Sequence, residues 1–80
     1  MKLDPKLIDI GVDEGLINLL HSKTKLKHRE IESANLITSS DKKYLVQLEL
    51  KRGDYRSSRS MVLNIDKDRI RELKLKMIFN

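Results

Sequence analysis

Two short runs of alternating apolar residues, separated by a polar segment, constrain the fold of this chain more than any other feature. Every second side chain is apolar in both runs, at Tyr44, Val46, Leu48 and Leu50 and then at Met61, Leu63 and Ile65. This period of two is typical of strands with one buried face. The segment between them, KRGDYRSSRS at residues 51–60, contains a glycine and an aspartate that favour a turn. The pattern predicts an antiparallel β-hairpin with strands at about 43–51 and 58–65 and with these alternating side chains in the core.

Helical signals precede the hairpin. Asp4 followed by Pro5 is typical of an N-cap and the first helical position, and Gly11 ends this short element. A longer helix is predicted at Asp13–Ser22, because acidic residues lie at its positive end. Its apolar residues repeat at helical spacing, at Leu16, Leu19 and Leu20.

Two further segments each allow two interpretations. Residues 24–36 show neither a good strand period nor a good helical stripe; we expect a strand at about 30–38, with a helix capped by Thr24 as the alternative. Residues 67–79 fit either a helix capped by an aspartate or an alternating strand. For this segment we expect a short helical or turn region followed by a strand at 72–79.

The predicted fold class is α+β, with the N-terminal helix packed on a small antiparallel β-sheet of three to four strands, at about 30–38, 43–51, 58–65 and 72–79. A chain of 80 residues without internal repeats predicts a single small domain spanning residues 1–80. It contains no cysteine, so disulfides do not stabilise it. The N-terminus has the composition neither of a signal peptide nor of a membrane span, and we expect a cytoplasmic protein.

The charge distribution predicts an anionic partner, with nucleic acid as the first expectation. The chain carries a net charge of +5, and its first 20 residues are acidic, so that the basic character begins after the first long helix. In the hairpin segment we expect Lys51, Arg52, Arg56 and Arg59 to contact phosphate groups, and Tyr55 to stack on a base or sugar. An earlier basic segment adds three further candidate nucleic-acid-binding residues, Lys25, Lys27 and Arg29.

Catalytic and metal-binding chemistry is not predicted. His21 and His28 lie seven residues apart without cysteine partners, which does not fit the usual spacings of a zinc site. The glycines form neither a phosphate-binding loop nor a dinucleotide-binding motif, and no pair of acidic residues is singled out as an acid and a base. We therefore expect no enzymatic activity, no metal and no small-molecule cofactor.

Two other readings of the hairpin concern protein partners. Arg52-Gly53-Asp54 resembles the adhesive tripeptide that integrins recognise, but such a motif requires an extracellular host, and we interpret it as coincidence. The alternative to nucleic-acid binding is a protein–protein interaction module or a homodimeric small regulator. This hypothesis rests on Leu45, Val62 and Ile78, which the alternation places on the face away from the core.

Overall fold

The protein forms a four-stranded sheet with helices packed on one side. The computed structural model describes residues 1–51 and 59–79, with side chains described up to Lys76. In chain order the elements are β1 (Lys2–Leu3), α1 (Pro5–Asp9), α2 (Glu14–His21), β2 (Ile31–Ser39), β3 (Lys43–Leu50), β4 (Arg59–Asp66) and α3 (Lys67–Phe79). The strand order is β1-β2-β3-β4. β1 runs parallel to β2, and the other neighbours are antiparallel. The α+β class is confirmed.

The predicted hairpin is confirmed in its pairing and in the face that it buries. β3 and β4 pair without interruption, with Val46 opposite Leu63 and Leu48 opposite Met61. Five of the seven side chains predicted to face the core are buried, and Tyr44 and Met61 are half-buried. Alternation predicts this correctly because neighbouring side chains of a strand point to opposite faces.

β2 confirms the strand expected at about 30–38, although the sequence there shows a poor period. Its register with β3 shifts twice, between Ile31 and Ser33 and again between Leu36 and Thr38. Each shift is a β-bulge, in which an additional residue on one strand moves the following side chains to the other face. The buried positions Ile31 and Ala34 are therefore three residues apart, and this spacing disguises the strand.

The predicted C-terminal strand at 72–79 is wrong, because Lys67–Phe79 is one continuous helix. Ile70 and Leu73 are buried three residues apart, as on one face of a helix, whereas Leu75 is 48% exposed. The helical stripe rather than the strand alternation therefore meets the core. The fourth strand is instead the two-residue β1, whose parallel pairing makes the sheet mixed and not purely antiparallel.

Two capped helices connect β1 to β2. The Asp4 Oδ1 atom accepts a hydrogen bond from the Lys6 amide at 3.0 Å, and the Asp13 Oδ1 atom accepts one from the Leu16 amide at 2.9 Å. α2 matches the predicted helix, with Asp13 and Ser22 as its capping residues. Between the helices Gly11 has a φ of 83°, a left-handed conformation that favours glycine.

One apolar cluster holds the helices against the sheet. Its buried side chains come from α1 and α2, from the loop between them, from α3, and from the core-facing positions of the three long strands. The opposite side of the sheet, here called the outer face, carries Asn35, Thr38, Leu45, Gln47, Val62 and Asn64. None of these six side chains is buried, so the helices cover only one face.

Candidate nucleic-acid interface

Basic residues from two distant segments meet at one end of the sheet. Three strand ends lie side by side in the sheet. They are the start of β2 at Ile31, the end of β3 at Leu50 and the start of β4 at Arg59. The Lys51 amide donates a hydrogen bond of 2.9 Å to the Glu30 carbonyl oxygen, so the pairing continues one step beyond the strands. The residues that precede β2 and those that flank the hairpin segment therefore share one edge of the molecule.

We use the term basic end for the five described candidates at this edge, Lys25, Lys27, Arg29, Lys51 and Arg59. The first three lie in the connection from α2 to β2, which is a succession of turns. In it the Thr24 amide donates to the His21 carbonyl at 3.0 Å and the Arg29 amide to the Leu26 carbonyl at 3.0 Å. Leu26 packs against the core cluster and anchors the connection, while Lys25 and Lys27 are exposed. The anchored turns thus present two lysine side chains to solvent.

An ion pair ties part of the basic end together. The Lys51 Nζ atom lies 2.9 Å from the Glu30 Oε2 atom, and both side chains are exposed. The hydrogen bond from Lys51, and then its charge, lower the pKa of Glu30, and the same contact raises the pKa of Lys51. An exposed pair of this kind contributes little to stability. It does compensate the charge of Lys51, so a phosphate group has to compete with Glu30 for that side chain.

The balance of charge at this edge remains positive. The basic end contains five basic residues, and three acidic residues adjoin it, namely Glu30, Glu32 and Glu49. The N-terminal amine adds to the field, because its charge also lowers the pKa of Glu30. The surplus of positive charge makes this edge a suitable contact for a polyanion.

The remaining candidates of the hairpin segment, Arg52, Tyr55 and Arg56, lie outside the described residues. The contribution of the hairpin tip therefore stays a prediction. What the structure adds is that the segments carrying the other five candidates adjoin the same edge, because β3 pairs with both β2 and β4.

A second basic element was missed in the sequence because half of it was interpreted as a strand. α3 contains five basic and two acidic residues within 13 positions. The Lys67 Nζ atom lies 4.7 Å from the centre of the Tyr44 ring, and Lys74 reaches over Gly11. Arg69, Arg71 and Lys76 are exposed. Counting charge over a helix-length window would have found this element.

Other kinds of site find no support in the part of the chain that the structure describes. No three histidine, aspartate or glutamate side chains there come together as ligands for a metal ion. His21 is buried at the end of α2, and its Nε2 atom has no hydrogen-bond partner among those residues. Within the same residues, no helix combines the length and the apolar character needed to cross a membrane.

Comparisons of the chain with known protein families, curated proteins and solved structures find no match.

Proposed function

We propose that this protein binds nucleic acid through the basic end, as a small regulatory protein. The observation that supports the proposal is that the connection carrying Lys25, Lys27 and Arg29 leads into β2 at the edge where Lys51 and Arg59 lie, across the paired strands. Side chains from two distant segments of the chain together form a surface at this edge. Contacts to successive phosphate groups require such a surface. In the hairpin segment, which joins Lys51 to Arg59 along the chain, Arg52 and Arg56 are proposed to add phosphate contacts and Tyr55 a stacking contact.

The proposed contacts are mainly electrostatic. Lysine and arginine side chains that contact phosphate groups release counterions, so affinity falls as salt rises, with a slope of about 0.9 per contact on duplex DNA. Such contacts position a protein on the backbone without reading the sequence. We therefore expect binding that depends strongly on salt and only weakly on base sequence.

Charge removal at the basic end tests the proposal. The site variant carries Lys25→Ala, Lys27→Ala and Arg59→Ala. The control variant carries Lys6→Ala, Lys42→Ala and Lys43→Ala, at residues that are also exposed and lie elsewhere. Both lose three charges, so a nonspecific effect of net charge would appear in both.

Fluorescence anisotropy with short mixed-sequence DNA and RNA, at about 50 to about 200 mM salt, is the measurement. We expect the site variant to lose affinity and its salt slope on duplex DNA to fall by about two to three units, while the control stays close to wild type. The absence of wild-type binding at low salt, or equal losses in both variants, would refute the proposal.

Removing the competing acid is a complementary test with the opposite sign. Glu30→Gln takes away the carboxylate that holds Lys51 and leaves an amide of the same shape. We expect tighter binding and a salt slope steeper by about one unit, since one more side chain becomes available to phosphate. Glu14→Gln, in the first turn of α2, is the matched control and should change neither value. Unchanged or weaker binding by Glu30→Gln would show that Lys51 is not a contact.

A protein–protein interaction module is the second candidate function. The outer face favours it, because Val62 is 49% exposed there and Leu45 is half-buried, as the alternation predicted. Ile78 now belongs to α3, and its side chain is outside the described part. Exposed apolar side chains of this kind are typical of contacts between proteins. A protein that shows no binding to nucleic acid in the anisotropy experiment but forms stable complexes with protein would fit this alternative.

A further inference from the structure

The two edges of the sheet are built differently. At the β2 edge, the Asp4 amide donates to the Ala34 carbonyl at 2.9 Å, and the Asp4 Oδ2 atom accepts from the Leu36 amide at 3.1 Å. β1 pairs with the adjacent residues of β2, and both bulges lie on this strand. Paired or capped backbone groups and bulges are devices that prevent another strand from adding to an edge. The β2 edge is therefore protected.

The β4 edge lacks these devices. β4 pairs with β3 over all eight residues without a register shift. The six residues 60–65, SMVLNI, contain neither a charge nor a proline. Among the described residues, no backbone hydrogen bond reaches the far side of this strand. A long, regular and uncharged edge of this kind is a template for pairing with a further strand.

We propose that a second copy of this chain occupies the β4 edge, by antiparallel pairing about a two-fold axis perpendicular to the sheet. This axis keeps the helices of both copies on the same side, and directly opposite residues then share a face. Centred on Leu63, the pairing sets Met61 opposite the partner's Ile65 and Val62 opposite the partner's Asn64. The core-facing row is then apolar across the junction, and two four-stranded sheets form one sheet of eight.

The lack of net charge on β4 favours a second copy as the occupant. β4 has Arg59 at one end and Asp66 at the other, so it is neutral within a chain of net charge +5. In the pairing centred on Leu63, the partner's Asp66 lies opposite Ser60, and no two charged residues face each other along residues 60–66. Beyond this stretch, Arg59 lies opposite the partner's Lys67. Lys67, the next basic residue, is turned onto the Tyr44 ring. β4 is thus a long neutral strand along which two basic molecules can meet without charged residues facing each other at residues 60–66.

Two double variants test which surface carries the association. Val62→Lys with Asn64→Lys places lysines opposite each other across the proposed pairing, twice per dimer. Asn35→Lys with Thr38→Lys adds the same charge to the same outer face on β2, and these side chains are also exposed. Sedimentation velocity from about 10 to about 500 µM, a range that covers weak dimers, measures the mass without nucleic acid.

We expect wild type and the β2 variant to form dimers, and the β4 variant to stay monomeric with an unchanged circular dichroism spectrum. A wild-type monomer throughout, or a β4 variant that still forms dimers, overturns the proposal. Loss of the dimer in both variants also overturns it, because association would then use the whole outer face.

Cysteine cross-linking tests the pairing itself, and the chain contains no cysteine that would interfere. Val62→Cys and Asn64→Cys proteins are oxidised separately and as a mixture. Opposite residues of antiparallel strands lie within the distance that a disulfide spans, whereas diagonal ones, at about 7–8 Å, do not. We expect the mixture to form clearly more covalent dimer than either protein oxidised separately. Equal or absent cross-linking in all three samples overturns the pairing centred on Leu63.

Discussion

Truncation of Leu48 to alanine is the most direct test of the core between β2, β3 and β4. Leu48 is fully buried, with Ala34 opposite it on β2 and Met61 opposite it on β4. The substitution removes three carbon atoms, worth about 2 kcal/mol of transfer free energy. The cavity left by the substitution adds to this cost, because the short side chain of Ala34 cannot fill it. We expect a loss of about 3–4 kcal/mol, within the range measured for buried leucines.

Urea denaturation followed by far-ultraviolet circular dichroism measures this loss. A domain of this size has a free energy of unfolding of about 4–12 kcal/mol, so Leu48→Ala removes a large share of it. The urea concentration at the midpoint of unfolding should fall. The slope of the free energy of unfolding against urea concentration should stay unchanged, as expected when only stability changes. Ile37→Ala is the control, because Ile37 is 51% exposed at a bulge of β2, and it should cost less than about 1 kcal/mol. A loss below about 1 kcal/mol for Leu48→Ala, or an equal loss in the control, would show that the assigned core face or register is wrong.

Two further substitutions test the connection between β1 and α2. Gly11→Ala should destabilise by about 1–2 kcal/mol, because Gly11 has a left-handed φ of 83° and an added Cβ atom would lie 3.0 Å from the Lys74 Nζ atom. Gly15→Ala inside α2 should instead stabilise by up to about 1 kcal/mol; the same sign for both in urea denaturation would contradict the assigned conformation. Hydrogen bonds from the amides of Lys6 and Leu36 lower the pKa of Asp4, so its contribution to stability is present at neutral pH and is lost as the pH falls below about 4. Asp4→Asn should lower the free energy of unfolding at pH 7 and flatten its dependence on pH between about pH 5 and pH 2. If that dependence is the same as in wild type, this carboxylate does not stabilise the fold.

The accuracy of the secondary-structure prediction depends on how regularly the apolar residues repeat in each segment. The hairpin was predictable because its two runs alternate without exception and β3 pairs with β4 without a shift. Bulges disguised β2, and β1 is too short, at two residues, for any period to show. In α3, Leu73 and Leu75 suggested a strand, yet only Leu73 is buried. Local pattern alone does not decide between these alternatives, because the buried face is chosen by packing against the rest of the chain.

The candidate site was partly predictable for a related reason. Composition singled out both basic segments, but their common location depends on the register that joins Ile31, Leu50 and Arg59 across three strands. The ion pair between Lys51 and Glu30 also follows from this register, since the two residues are 21 positions apart in the chain. Pairing between strands is a property of the whole sheet, and so the charge balance of this edge required the structure.

The two proposed surfaces should respond differently to salt. The basic end attracts a polyanion through charge, and added salt weakens that attraction by reducing the gain from counterion release. β4 is neutral, so the obstacle to its pairing is the repulsion between two chains that each carry +5. Salt screens this repulsion over distances beyond about 10 Å at 0.1 M, while the backbone hydrogen bonds and the apolar row across Leu63 are little affected. Nucleic-acid binding is therefore expected to fall with salt, and self-association to persist or increase.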